Sequence, residues 1–270
     1  MKRIFVLITC LTTVSLSAQI YPQLGGRSLG MGGVGLTLTD VYSVYNNPGA
    51  LGALDKTSIG LNYENRFLVK EISSQAIVYA HKGKKNRNFG VQMQQTGFSL
   101  YREIQVGVAY GIKLSDKFYG GVGLNYHRIQ LGENYGTRNT ASGNLGVYYE
   151  ANKSWRFGVR VQNISRTKLA ELEDERLPTR FGLGLTYIFS KKVSWSLEAE
   201  KTIINPINVK TGLEIHPHDI FYVRLGVNSF PFQSSFGFGL ALNRFQFDMS
   251  TNWHSTLGMS PSAGLKFSFE

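Results

Sequence analysis

Apolar and polar positions alternate along most of this chain. From about residue 57 onward, the alternation comes in segments of roughly ten residues, the length of a membrane-crossing strand. In residues 103–112, isoleucine, valine and tyrosine occupy the even positions, and glutamate, glutamine, glycine and alanine occupy the odd positions. Because successive side chains of a strand point to opposite faces, this pattern predicts strands with one apolar face each.

The alternating segments number about fourteen, an even number that places both ends of the sheet on one side. They lie near residues 57–66, 72–81, 87–96, 102–113, 117–128, 140–150, 154–163, 179–189, 193–201, 207–216, 219–228, 234–243, 245–251 and 257–269. Connections after the even-numbered segments are predicted to be short, at residues 114–116, 151–153, 190–192, 217–218 and 244. Connections after the odd-numbered segments include the two longest, at residues 129–139 and 163–178. Short turns on one side and longer loops on the other are typical of outer-membrane barrels.

The strand face opposite the apolar one distinguishes a membrane barrel from a soluble sandwich by its composition. This face carries glycine, alanine, serine, glutamine and a few charges of both signs. The solvent face of a sandwich is usually rich in lysine, glutamate and threonine, whereas small and polar residues suit a crowded, hydrated lumen. We therefore predict an all-β fold, a transmembrane antiparallel β-barrel of about fourteen strands. A soluble secreted β-protein is the alternative fold.

The first eighteen residues have the composition of a signal peptide. Lys2 and Arg3 precede an apolar run from Ile4 to Leu16, and small residues follow at a plausible cleavage site after Ala18. The only cysteine of the chain lies in this leader, so we expect no disulfide and no cysteine chemistry in the exported protein. Residues 57–270 are then the barrel, and residues 19–56 lie between leader and barrel.

Residues 19–56 do not alternate and are rich in glycine. Gly30, Gly32 and Gly35 match the G-x-G-x-x-G spacing of dinucleotide-binding folds. That fingerprint requires a strand before it and a helix after it, and here a leader and a segment with proline and glycine precede it. Nucleotide binding is therefore not expected.

Several stretches of the chain resemble one family. They are Gly26-Arg-Ser-Leu-Gly-Met-Gly-Gly-Val-Gly35 with the following Asp40, Asn47-Pro-Gly-Ala-Leu51, Lys113–Phe118, Arg156–Ile164, Leu177–Gly184 and Val223–Gly226. Together they resemble FadL-type outer-membrane barrels, and especially the PorV/PorQ branch of Bacteroidota. The family usually has alanine where this chain has Gly49.

The resemblance implies a fourteen-stranded barrel in the outer membrane of a Gram-negative bacterium, with residues 19–56 folded into its lumen as a hatch. The hatch residues that carry the resemblance are Gly30, Gly32, Gly33, Asn47, Pro48 and Gly49. Glycine permits a close approach between the hatch backbone and the wall, and Pro48 fixes a turn. A barrel of this size has a bore that must be filled or must conduct.

Charged residues occur on the predicted lumen face of the strands. They are Arg156, Arg160, Glu198, Glu200, Arg224 and Asp248. Isolated charges in such a place are costly, so we expect these side chains to pair across the bore or with the hatch.

Other clusters carry weaker signals. Lys82, Lys84, Lys85 and Arg87 form a basic turn on the predicted periplasmic side, a possible docking patch for a partner. The acidic run 171–175 is interpreted as a solvated external loop, and the two histidines at residues 216–218 as turn residues. We expect no catalytic residue, no cofactor, no metal ion and no nucleic acid, because no nucleophile elbow or ligand cluster is present in the sequence.

Two functions remain. The resemblance implies an accessory or scaffold subunit of a multi-protein outer-membrane complex for type IX secretion or assembly, whose partners are lipid and other outer-membrane or periplasmic proteins. The alternative is a FadL-like channel for passive uptake of hydrophobic small molecules. The longest external connections are short and polar, which favours the scaffold.

Overall fold

A computed structural model describes residues 23–132, 136–167, 176–203 and 205–269 of the chain. Fourteen strands form a closed barrel in which each strand pairs with its sequence neighbours and β1 pairs with β14. The strands are β1 Ser58–Glu64, β2 Ser74–His81, β3 Arg87–Gly97, β4 Tyr101–Lys113, β5 Phe118–Leu131, β6 Thr137–Glu150, β7 Trp155–Gln162, β8 Arg180–Ser190, β9 Val193–Thr202, β10 Asn208–His218, β11 Phe221–Ser229, β12 Phe232–Leu242, β13 Phe245–His254 and β14 Gly258–Ser268. The prediction of a fourteen-stranded antiparallel barrel is confirmed.

One predicted connection is shorter in the structure, and another is shifted along the chain. Both predicted ends of the loop at residues 129–139 are wrong. Strand β5 continues to Leu131, and β6 starts at Thr137, which pairs with Gln130. The turn predicted at residues 217–218 is also wrong, since β10 continues through a bulge to His218. Polar side chains end the apolar alternation at these places, but the backbone ladder of hydrogen bonds runs on past them.

The two faces of the wall differ in polarity, as the alternation predicts. On β5, Leu124 is 66% exposed on the outer face, whereas its neighbour Asn125 faces inward and is buried. The same pattern of exposed apolar and buried polar side chains recurs on the other strands. An apolar exterior that surrounds the whole molecule is far larger than the apolar patches of water-soluble monomers, so it requires a lipid environment.

The two edges of the barrel also differ. One edge, which we call the short-turn edge, holds the tight turns β4–β5, β6–β7, β8–β9, β10–β11 and β12–β13 together with the start of β1 and the end of β14. The opposite edge holds the longest connection, β7–β8, and the β1–β2 connection, which contains the 3₁₀ turns Arg66–Leu68 and Lys70–Ile72. A further 3₁₀ turn, Lys84–Asn86, joins β2 to β3 at the short-turn edge.

A belt of aromatic side chains surrounds the wall near the short-turn edge. Rings on neighbouring strands pack against each other at a tilt, for example Trp155 and Tyr187 with centroids 4.6 Å apart and Phe245 and Phe267 at 4.9 Å. Aromatic girdles of this kind mark the level of the membrane–water interface. The short turns therefore extend beyond the hydrocarbon layer.

The segment before β1 contains three short helices, α1 Gly26–Gly30, α2 Ser43–Asn46 and α3 Pro48–Leu51. Almost all of its side chains from residue 23 to residue 54 are buried, and its apolar residues form the main buried clusters together with inward-facing residues of the wall. None of the helices in the described ranges is long and apolar enough to cross a membrane. We refer to residues 23–56 as the hatch.

Replacement of Leu124 by arginine tests the outward direction of the apolar face. A cation on the lipid side near the middle of a strand costs about 2–4 kcal/mol. We expect Leu124→Arg to lower the free energy of unfolding in lipid vesicles by this amount, measured by urea titration of tryptophan fluorescence. Leu114→Arg, in the exposed β4–β5 turn, is the control and should change it by less than about 1 kcal/mol. Equal losses for both variants would contradict the lipid-facing assignment.

Candidate functional site

The hatch folds around a local cap at Asn47. Its side-chain oxygen accepts a hydrogen bond from the backbone N–H of Gly49 at 2.9 Å, and Pro48 occupies the first turn of α3. An asparagine cap followed by proline is a favourable helix start. The amide nitrogen of Asn47 donates to the carbonyls of Leu36 and Val147, at 2.7 and 3.0 Å. Asn47 thus connects two parts of the hatch with strand β6.

The hatch crosses the entire bore and contacts all fourteen strands of the wall. On most strands the contact is made at an inward-facing glycine. These wall glycines are Gly60, Gly90, Gly111, Gly121, Gly146, Gly158, Gly182, Gly184, Gly212, Gly226, Gly237 and Gly264. Because these residues have no side chain, the hatch backbone packs directly on the wall at some of them, for example Gly121 and Gly226. At others, such as Gly90, the space is filled by a hatch side chain.

The hatch contributes glycines to the same contacts. A Cβ atom at Gly49 would lie 2.6 Å from Cα of Val147, and one at Gly32 would lie 2.8 Å from the backbone nitrogen of Val227. Gly32 and Gly33 also have φ angles of 73° and 80°, which L-residues rarely adopt. The glycine that replaces the usual family alanine at position 49 is therefore required by the close packing on β6.

The other predicted hatch glycines have different surroundings. A Cβ atom at Gly30 would lie 3.2 Å from Cα of Gly237, a tight contact with β12. A Cβ atom at Gly33 would meet only the Lys210 side chain, at 3.9 Å, so its left-handed backbone conformation and not its packing calls for glycine.

One group of charged residues joins α1 to strands β10, β11 and β13. The Arg27 guanidinium makes two hydrogen bonds with the Glu214 carboxylate, at 2.8 and 2.7 Å. Arg224 also donates to Glu214, at 2.7 Å, and to Asp248 at 2.7 Å. Asp40 of the hatch lies 3.8 Å from Arg27. These bidentate and shared contacts compensate the buried charges and fix the orientation of α1.

A second group lies on β7, β9 and β10. One Glu198 oxygen accepts hydrogen bonds from the backbone N–H groups of Gly35 and Leu36 in the hatch, at 2.9 and 3.2 Å. The other Glu198 oxygen lies 3.3 Å from both Gln23 Nε2 and Lys210 Nζ. The wall thus supplies a carboxylate acceptor to hatch backbone groups that have no strand partner.

Arg160 belongs to the second group and is almost completely buried. Its guanidinium donates to Glu200 at 3.1 Å, to Gln23 Oε1 at 3.1 Å and to the backbone carbonyl of Asn46. Lys210 also lies 3.2 Å from Glu200. Each buried charge in this group faces an opposite charge, and the hatch supplies further hydrogen-bond partners to Glu198 and Arg160.

Five of the six lumen charges named from the sequence lie in these two groups. Arg156 does not, because its side chain is near the short-turn edge and makes a 3.8 Å contact with Glu150 on β6. The sequence analysis missed Glu214 and Lys210, although the alternation in β10 places both inward. It also missed Arg27, which lies in a segment without periodicity and therefore gives no signal.

The basic turn lies outside the lumen. Lys82, Lys84 and Lys85 are exposed at the short-turn edge. Arg87 starts β3 on the same face as Phe89, so it points toward the outside of the wall. His216 lies 3.3 Å from Glu214 and belongs to the first charge group. The acidic run 171–175 and the predicted leader lie outside the described residues.

Two cavities remain beside the hatch. The larger one, about 190 Å³, opens at the short-turn edge between hatch residues 37–39 and strands β8–β10. The smaller one, about 30 Å³, lies between Tyr45 of the hatch and the longer-loop edge. Its lining is mainly amide and hydroxyl side chains, for example Gln105, Asn125 and Ser142.

Comparisons with known proteins support this architecture. Residues 41–258 match the model of the family described as type IX secretion system membrane protein PorP/SprF. A FadL homologue from Pseudomonas aeruginosa is 12% identical, with 93% of this chain and 99% of that chain covered and a TM-score of 0.68. The toluene transporter TodX of P. putida is 11% identical, with 92% and 99% covered and a TM-score of 0.66.

The monoaromatic hydrocarbon channel CymD is similar in structure as well. It is 13% identical, with 91% of this chain and 97% of that chain covered and a TM-score of 0.68. A comparison with curated protein sequences gives no match. At such low identity the structural similarities establish the FadL-like fold, and they confirm the predicted resemblance to FadL-type barrels.

Glu214→Gln tests the charge group that holds α1. The substitution removes the negative charge between two guanidinium groups, and loss of one partner from a buried ion pair costs about 3–5 kcal/mol. We expect a clear drop in the unfolding temperature of the detergent-solubilised barrel, measured by the heat-induced mobility shift on gels. Glu71→Gln, on an exposed 3₁₀ turn, is the matched control. Equal unfolding temperatures for the two variants would refute a structural role of Glu214.

Gly49→Ala tests the close approach between hatch and wall. The added methyl group would collide with backbone atoms of Val147, and overpacking typically costs about 1–3 kcal/mol. We expect a lower unfolding temperature in the same mobility assay. Gly143→Ala is the control, because a Cβ atom at Gly143 meets no atom within 4 Å. If Gly49→Ala were as stable as its control, the backbone around Val147 would have to make room for the methyl group without loss of stability.

Proposed function

Because the chain belongs to the PorP/SprF family of type IX secretion system membrane proteins, we propose that it is an accessory barrel that holds other subunits of a secretion complex. The family and the FadL-like fold are those of secretion and transport barrels, and the protein resides in the outer membrane. The proposal assigns it the role of a scaffold with a closed bore, and no catalytic activity.

The observation that carries this proposal is the contact of the hatch with every strand of the wall. Two neighbouring groups of buried, paired charges hold the hatch, one on β10, β11 and β13 and the other on β7, β9 and β10. Removal of the hatch would take Arg27 away from Glu214. It would also remove the hydrogen bonds that the hatch makes with Glu198 and Arg160, which is energetically costly. Such a hatch suits a barrel whose surfaces bind partners better than one whose bore conducts solutes.

The short-turn edge is the surface that we propose for a periplasmic partner. Short turns of outer-membrane barrels face the periplasm. Every turn at the short-turn edge except β10–β11 carries a basic residue. These residues are Lys82, Lys84, Lys85, Lys117, Lys153, Lys191, Lys192 and Arg244. A concentration of one charge on one edge attracts partners of the opposite charge.

The alternative is a channel for hydrophobic small molecules, since CymD is a monoaromatic hydrocarbon channel and TodX is a toluene transporter. The cavity near the longer-loop edge argues against this function here. Its volume of about 30 Å³ is far below that of typical ligand pockets, and its lining is mainly polar. The β3–β4, β5–β6 and β11–β12 connections at that edge are also short.

Affinity purification of the tagged protein after gentle detergent extraction tests the scaffold function. We expect other type IX secretion proteins to co-purify in a constant ratio, identified by mass spectrometry. A variant with Lys84→Glu and Lys85→Glu should retain less of a periplasmic partner, because the substitutions reverse the charge of the edge. Lys70→Glu, on the opposite edge, is the control. A lone barrel with bound lipid-like molecules would instead support the channel.

A further inference from the structure

The cavity at the short-turn edge has a lining unlike that of the rest of the lumen. It is built by hatch residues, by the ends of β8 and β10 and by the starts of β7 and β9. Basic and hydroxyl side chains predominate among its polar residues. These are Arg27, Arg156, Lys191, His216, Thr37, Thr39, Thr186, Ser190, Ser194 and Ser196. We refer to this cavity as the recess.

Glu214 is the only carboxylate in the described lining of the recess. It already accepts hydrogen bonds from Arg27 and Arg224, so its charge is compensated. The lining contains two cations besides Arg27, and these have fewer contacts with carboxylates. Arg156 makes only a 3.8 Å contact with Glu150, and Lys191 is exposed in the β8–β9 turn. The electrostatic balance at the mouth of the recess therefore favours an anion.

The recess also offers neutral hydrogen-bond donors. Ser190, Ser194 and Thr39 place hydroxyl groups in the lining, whereas Thr186 is bonded to Thr37 and Ser196 deeper in the lumen. Its volume of about 190 Å³ is below the roughly 300–1,000 Å³ of pockets for drug-sized ligands. This space suits one side chain or chain end with a charged tip, but not a folded ligand.

We propose that the recess binds a carboxylate presented by an acidic segment of a periplasmic partner protein. The inference rests on the proposed function and names the chemistry by which the short-turn edge recognises its partner. Arg156 and Lys191 contact the carboxylate, and the basic residues of the neighbouring turns attract the rest of the acidic segment. Bilayer lipid is excluded as the occupant, because the recess lies inside the wall and its strand residues face the bore.

Binding of a fluorescein-labelled hexaglutamate peptide to the purified full chain in detergent tests the inference. We expect saturable binding, measured by fluorescence anisotropy, and no binding of the corresponding hexaglutamine peptide. Lys191→Gln should weaken binding about ten-fold, the typical effect of removing a hydrogen bond to a charged group. Lys192→Gln is the matched control, since Lys192 lies in the same turn but outside the lining, and should weaken it less than about three-fold.

A second variant separates the recess from the general charge of the edge. Ser194→Phe fills the recess without changing the charge, so we expect it to abolish saturable binding. Normal binding by Ser194→Phe, or equal losses for Lys191→Gln and Lys192→Gln, would overturn the inference. Succinate at millimolar concentration should not displace the peptide. Displacement would show that a free carboxylate and not a protein segment occupies the recess, and binding to phosphatidylglycerol vesicles that depends on Lys191 would indicate lipid.

The same variants in the co-purification experiment separate this inference from the scaffold function. A periplasmic partner that co-purifies with the unchanged protein but not with Ser194→Phe supports both. A partner that is retained equally by Ser194→Phe and Lys191→Gln contradicts the recess and leaves the scaffold function intact. If no protein co-purifies, the scaffold function fails, whatever the peptide measurement shows.

Discussion

The structure depends on the direct approach of two backbones, that of the hatch and that of the wall. Inward-facing glycines on most strands leave room at the level where the hatch crosses the bore, and glycines of the hatch meet them there. A Cβ atom at Gly226 or Gly146 of the wall would collide with the hatch backbone. A Cβ atom at Gly32 or Gly49 of the hatch would collide with the wall backbone. A barrel of fourteen strands is wide enough to hold a folded segment. Here the hatch occupies the bore, and its backbone contacts the backbone of the wall.

The buried charges depend on the same close fit. Arg27 reaches Glu214, and Glu198 reaches the N–H groups of Gly35 and Leu36, only because the hatch lies against β9–β11. In a low-dielectric interior these contacts stabilise the bound hatch and would oppose its displacement, since its exit would remove Arg27 from Glu214 and the N–H donors from Glu198. The glycine contacts determine where the hatch lies, and the charges hold it in one orientation.

With the bore occupied, the surfaces that remain for function are the lipid-facing wall and the two edges. The edges differ in charge and in cavities. The short-turn edge carries most of its basic residues at the turn tips and contains the larger cavity, whereas the opposite edge has a small polar cavity. This asymmetry fits a membrane protein of the type IX secretion family, because short turns of outer-membrane barrels face the periplasm, and the turn-tip charges and the larger cavity lie on that side.

The sequence by itself determined the strands, their number and the face that each side chain occupies, because alternation in a strand is a local property with a period of two. The role of residues 19–56 came from resemblance, since this segment has no periodicity. Only the tertiary structure decided that Arg27 pairs with Glu214, that Arg156 stands apart, and that β5 and β6 extend beyond their apolar alternation. These features depend on contacts between residues far apart in the chain, and the distance between such residues is fixed only when the barrel closes around the hatch.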